Sequence, residues 1–162
     1  MELTLRCARF LLPAVFLTGL FACASAPPPP PPPPPPTVLQ ATIIVLPNVN
    51  PDARGRPSPV VFRFYELKAL AAFTTADFFA LLDKDKEILG AELVAREEFQ
   101  LMPGEQRKLE RKVQADTRYI GAIAAFRDLE RAQWRATMTV IPQRTSTVEI
   151  KLDGSKVTIE SR

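Results

Sequence analysis

No histidine occurs in this chain of 162 residues, and only two cysteines and six glycines do. Without imidazole, and with so few thiols, zinc sites and Ser/His or Cys/His pairs lack a necessary part. Neither a G-x-S-x-G turn nor a glycine-rich phosphate loop is present, which removes the common routes to acyl transfer and nucleotide binding. Net charge is also scarce. The formal balance is +3 from 21 Lys+Arg against 18 Asp+Glu, and bases alternate with acids in stretches such as "EEFQLMPGEQRKLERK". No Lys/Arg run reaches the length of a polyanion-binding tail, so the chain carries no nucleic-acid signature. The segment "DKDKE" has too few acids and no glycine for a calcium loop. Asp83, Asp85, Glu87, Glu97 and Glu98 could in principle supply the carboxylate pair of a glycosidase, but their pattern reads as solvated surface.

What is present begins with an apolar run, "FLLPAVFLTGLFA" at residues 10–22, preceded by Arg6 and Arg9 and followed by small residues. The order is that of a secretory signal, and the run is too short to span a bilayer. Its end, Leu20-Phe21-Ala22-Cys23, resembles the bacterial lipobox, in which the thiol is lipidated and becomes the mature N-terminus. That resemblance makes Cys23 a membrane anchor carrying three acyl chains. At ~0.8 kcal/mol per buried methylene, such attachment is effectively permanent. Ala24 after the anchor favours the outer membrane over retention in the inner one. With residues 1–22 removed and Cys23 acylated, the mature domain has no cysteine left for a disulfide and must be stable by its core alone.

Ten consecutive prolines, residues 27–36, follow. With every φ fixed and no backbone donor, they read as a polyproline II rod of about 30 Å at ~3.1 Å per residue. The rod is a spacer; the alternative, a ligand for proline-binding modules, lacks flanking charges to orient it.

Residues 38–162 are long enough for one domain burying roughly two thirds of its unfolded surface. Most of them read as strands. "TVLQATIIVLP" is β-branched and stops at Pro47, and "SPVVFRFYELK" sets Val60, Phe62 and Phe64 on one face against Arg63 and Tyr65 on the other. Between these lies "NVNPDARGRPSP", residues 48–59, a loop longer than a hairpin needs. "FTTADFFALLDKDKEILG" predicts a helical insertion, with Thr75 as cap, Asp77 in the first turn, an apolar stripe of Phe78, Leu81 and Leu82, and Gly90 as its end. In "ELVAREEFQLM", Leu93, Ala95, Phe99 and Leu101 share a face, and the charged "EQRKLERKV" reads as an edge strand protected from unwanted pairing. "TRYIGAIAAF", apolar on both faces, is a central strand in which Gly121 marks a close approach. "QWRATMTVI" alternates, and "STVEIKLDGSKVTIES" is a hairpin turning on Asp153-Gly154. The sum is eight strands and one helical excursion, a β-sandwich in preference to a barrel.

The order of these features resembles the TssJ lipoproteins of the type VI secretion system. The resemblance spans nearly all of residues 38–162. It is carried by "PVVFRFYELK", by "FTTADFFALL" followed by "LG", by the "LMPGE" turn, and by "YIGAIAAFRDLERAQWR". It implies a mainly-β, transthyretin-like, eight-stranded sandwich with a small helical insertion, and a role without catalysis. A TssJ lipoprotein sits on the periplasmic face of the outer membrane, binds the periplasmic carboxy-terminal domain of TssM and, with TssL reached indirectly through TssM, builds the membrane complex. In that family the loop joining the first two strands contributes to the TssM contact. Carried over, Asn48, Asn50, Asp52, Arg54 and Arg56 are the candidate binding residues. Arg54 and Arg56 suit acidic groups on a partner, while Asn48, Asn50 and Asp52 suit shaping of the turn. The alternative reading is a generic outer-membrane lipoprotein that binds carbohydrate or peptidoglycan. No cofactor or metal is implied.

Overall fold

The computed structural model describes residues 30–162. The expected signal peptide over residues 1–22, the anchor Cys23 with Ala24, and the first three prolines therefore lie outside the described residues. The rest of the proline run, residues 30–36, is exposed and has no regular secondary structure. Residues 33–162 form one compact unit.

Eight strands run in the order β1 (Val38–Val45), β2 (Val60–Leu67), β3 (Leu93–Leu101), β4 (Gln106–Lys112), β5 (Tyr119–Ala124), β6 (Arg135–Thr139), β7 (Thr145–Asp153) and β8 (Lys156–Ser161). Two helices, α1 (Ala71–Thr75) and α2 (Phe78–Leu89), and a 3-10 turn (Gly90–Glu92) separate β2 from β3. The strands form two four-stranded sheets, ordered β4-β1-β7-β8 and β3-β2-β5-β6. The expected mainly-β sandwich with a small helical insertion is what the chain adopts.

The core follows from period-two patterning. Leu39, Ala41, Ile43 and Val45 of β1 and Val148, Ile150 and Leu152 of β7 meet Val60, Phe62 and Phe64 of β2 and Ile120, Ala122 and Ala124 of β5 between the sheets. Burial of each large aliphatic or aromatic side chain contributes about 1.5–3 kcal/mol. From Phe64 on, strand β2 is buried on both faces, because Tyr65 and Leu67 point the other way, under the helices, into a second cluster with Phe73, Leu81, Leu89 and Ile123. Strand β4 is an edge, as its charges suggested. Gly121 lies where a Cβ would come within 2.7 Å of the Phe73 ring, so glycine lets α1 settle on the sheet.

Several local expectations need correction. The helical insertion is two helices. Asp77, not Thr75, caps α2 by accepting the Ala80 N–H at 2.9 Å, while the Thr75 hydroxyl donates back to the Ala71 carbonyl and closes α1. The buried stripe of α2 is Phe78, Leu81, Asp85 and Leu89; Leu82 is only half-buried. Gly90, at φ +47°, ends α2, and the 3-10 turn carries the chain on to Glu92. Leu93 does not share a face with Phe99 and Leu101: Glu66 pairs with Ala95 but Leu67 with Leu93, so Val94 is an inserted bulge residue that turns Leu93 toward the helices. In the last hairpin Asp153 pairs with Lys156, which leaves Gly154-Ser155 as the turn.

Two buried carboxylates lock these layers together. Asp85 receives the Tyr65 hydroxyl at 3.3 Å and ion pairs with Arg63 and Arg96. Burial pushes the Tyr65 phenol up to about 12, so it remains a donor. Glu66 accepts the Thr117 hydroxyl at 3.0 Å and the Gln114 N–H at 3.2 Å, with Arg111 beside it. Arg111 also pairs with Glu97, and Arg63 with Glu98. Of the five carboxylates read as solvated surface, Asp83 and Glu87 are exposed but Asp85 is buried under the helix, and Asp85, Glu97 and Glu98 are held by arginines.

Candidate protein-interaction site

Strand polarity gives the unit two distinct ends. Val38, where the proline run enters, pairs with Lys112 and Thr145. Thr37 there accepts the Val113 N–H at 2.9 Å on its carbonyl and the Gln143 N–H at 2.8 Å on its hydroxyl. Eight residues later, about 26 Å along the strand at ~3.3 Å per residue, β1 ends beside Glu105 and Leu152. The connections β1–β2, β3–β4, β5–β6 and β7–β8 all lie at this far end.

The β1–β2 connection, residues 46–59, is ordered from within. Val49 is fully buried and plugs the end of the sandwich. Asn50 follows at φ +49° with a relative exposure of 3%, an unusual backbone that asparagine tolerates better than most residues. Its amide donates to the Pro59 carbonyl at 2.8 Å, and its carboxamide oxygen accepts the Arg127 N–H at 2.8 Å. Its backbone N–H donates to the Gly154 carbonyl at 2.7 Å, and its own carbonyl accepts the Ser58 hydroxyl at 2.6 Å. One residue therefore binds three connections into a single surface. The Asn48 amide adds a bond to the Asp153 carboxylate at 2.9 Å.

The tip turns around Asp52. Its carboxylate accepts the Arg54 N–H at 2.8 Å, the Arg56 N–H at 3.0 Å and the Arg56 Nε at 2.8 Å, and Gly55 supplies the φ of +76° the turn needs. The Arg56 backbone N–H, then its guanidinium, hold the Asp52 carboxyl below the usual carboxylate range.

Of the five residues that the sequence points to, the fold therefore uses Asn48, Asn50 and Asp52 to build the loop and spends Arg56 largely on Asp52. The Arg54 side chain points outward, with no hydrogen-bond or ion-pair partner among the described residues. The sequence does not point to Ser58, Arg127, Asp128, Arg131 and Ser155. With Pro51, Asp52 and Ala53, four of these (all but Ser58) line an open depression of ≈ 620 Å³. For Arg127, Asp128 and Arg131 the only signal was "FRDLERA", a charged stretch directly after a buried strand. Among the described residues no group of His, Cys, Asp and Glu could hold a metal ion, and no helix is long and apolar enough to cross a membrane.

A protein-family model described as "Type VI secretion lipoprotein, VasD, EvfM, TssJ, VC_A0113" matches residues 37–155; the proline run stands outside the match. The chain is similar to the crystal structure of the type VI lipoprotein TssJ1 from Pseudomonas aeruginosa, at 44% identity and a TM-score of 0.77, covering 79% of this chain and 98% of that one. It is also similar to Serratia marcescens Lip, a membrane-bound component of the type VI secretion system, at 27% identity and a TM-score of 0.69, covering 78% and 98%. A third similarity is to a chain in a structure described as "T6SS protein TssM C-terminal domain (869-1107) from EAEC", at 28% identity and a TM-score of 0.62, covering 75% and 99%. No curated protein sequence matches significantly.

Proposed function

The chain belongs to the type VI secretion lipoprotein family that includes TssJ, and from that premise we propose that it is an outer-membrane lipoprotein, anchored through Cys23 on the periplasmic face. In this reading residues 1–22 are the signal peptide, residues 23–37 the anchor and spacer, and residues 38–162 the domain that binds the periplasmic carboxy-terminal domain of TssM. Its task is to tether the type VI membrane complex, with TssL engaged through TssM, and it performs no catalysis.

The observation that carries this reading is the opposition of the two ends. The proline run enters beside Thr37, Val113 and Gln143, while the connections tied together by Asn50 lie at the other end of β1. A chain entry at one end, which leads back in sequence to the proposed anchor, and a rigid loop surface at the other is the arrangement a tether requires. A stiff loop loses little entropy on docking, so its contacts are retained as affinity. Similarity to a chain in the TssM C-terminal domain structure supports the partner as well.

Co-purification from detergent-solubilised membranes tests the proposal. TssM retained by the tagged full chain, and lost with the double variant Arg54→Ala/Arg56→Ala or with a disrupted loop, is the expected result. A full chain in the outer-membrane fraction that retains no TssM would overturn it.

A further inference from the structure

We propose that Arg127, on the β5–β6 connection, is the residue that receives a carboxylate from the partner, an aspartate or glutamate side chain held across its two terminal nitrogens. The proposal rests on the partner reading above and names the contact within it.

Arg127 is fixed from two sides. Its backbone N–H donates to the Asn50 carboxamide oxygen at 2.8 Å, and its Nε donates to the Ser58 hydroxyl oxygen at 3.0 Å. That hydroxyl is itself oriented by its 2.6 Å bond to the Asn50 carbonyl. A guanidinium tied at Nε has its plane set, and the two terminal nitrogens remain as a fork facing away from the tie. Among the described residues neither has a hydrogen-bond partner. This fork matches the spacing of a carboxylate, and a preset donor pair loses less side-chain freedom on binding than a free one.

The surroundings favour an anion. The β1–β2 connection and the depression beside it carry Arg54, Arg56, Arg127 and Arg131 against Asp52 and Asp128. Asp52 is occupied by the Arg56 guanidinium and by two backbone N–H groups. Asp128 meets Arg131 only at 3.8 Å, with both side chains largely exposed. Arg127 lies within Coulombic reach of Asp52, but among the described residues neither Arg54 nor Arg127 has a carboxylate partner, and of these two only Arg127 both lines the depression and is held in place. An acidic segment of the partner seated in the depression would reach it.

Calorimetric titration of the full chain in lipid nanodiscs with the purified TssM periplasmic region tests this. Arg127→Ala should weaken binding by about 10–100-fold, the range of an interface hot spot. Arg127→Lys should recover only part of the loss. Since Arg127 is exposed, the melting temperature should not move. If it does move, double-mutant cycles replace the single variant: neutralising one acidic residue of the partner must then be non-additive with Arg127→Ala. Parent-like affinity of Arg127→Ala, or additivity at every acidic position, overturns the inference while leaving the partner reading intact. A parent chain that does not bind the TssM region overturns both.

Discussion

The carboxamide oxygen of Asn50 accepts the backbone N–H of Arg127 at 2.8 Å, joining residues 77 apart in sequence at the end of the sandwich away from the proline run. Because Asn50 is buried, its replacement leaves polar groups without partners. Asn50→Ala should cost about 1–3 kcal/mol, the penalty for unsatisfied buried donors and acceptors, and should weaken TssM binding more than this stability loss explains. Chemical denaturation and calorimetry on the same preparation measure both. An unchanged affinity would mean that the three connections need not act together.

Gly121→Ala tests how the helices meet the sheet. The new methyl would come within 2.7 Å of Phe73 Cζ, and a packed core resists such insertion by about 1–3 kcal/mol. The variant should melt lower and bind TssM as the parent does, because the clash lies under α1, against Phe73 and Leu67, and touches none of the loop residues. Phe73→Leu in the same chain should recover part of the loss.

Binding should be flat between about pH 5 and 8. The chain has no histidine, and the Asp52 carboxyl lies below its ordinary value of 3.8. A group with a depressed folded value contributes stability that is fully present above the ordinary value and is lost as pH falls through the folded one. The loop should therefore loosen only below about pH 4, the ordinary carboxylate range. Affinity measured at pH 5, 6, 7 and 8 checks this, and a titration centred near pH 6.5 would contradict it.

Much of this fold was legible because side-chain burial in strands is local. The alternation in "TVLQATIIV" and "VVFRFYEL", the two-sided apolarity of "YIGAIA" and the charges of β4 each reflect neighbours two residues away. The parallel pairing of β1 with β7 was not legible, since its register joins Val38 to Thr145 and no short-range pattern encodes it. Asp85 looked like a surface acid because the arginines that neutralise it come from other elements. In the candidate site the turn-shaping role of Asn50 and Asp52 follows from asparagine and aspartate chemistry alone. That Arg56 folds back onto Asp52, and that Arg127 arrives from another connection, depends on the assembled end of the sandwich.

The tether gives a separate expectation. Cys23→Ser should leave a folded, soluble domain and abolish secretion, since the anchor precedes the folded unit. Ala24→Asp should move the lipoprotein to the inner membrane on a density gradient. A Cys23→Ser chain that stays in the membrane fraction would contradict the anchor, and an unchanged distribution of Ala24→Asp would contradict the sorting rule.

The central claim, that the end opposite the proline run holds TssM, is tested most directly by placing one photo-crosslinking side chain at either end in living cells. A crosslinker at Ala53, on the exposed tip of the β1–β2 connection, should capture the TssM periplasmic domain, and one at Arg144, beside the proline entry, should not. Capture from Arg144 with none from Ala53 would contradict the account.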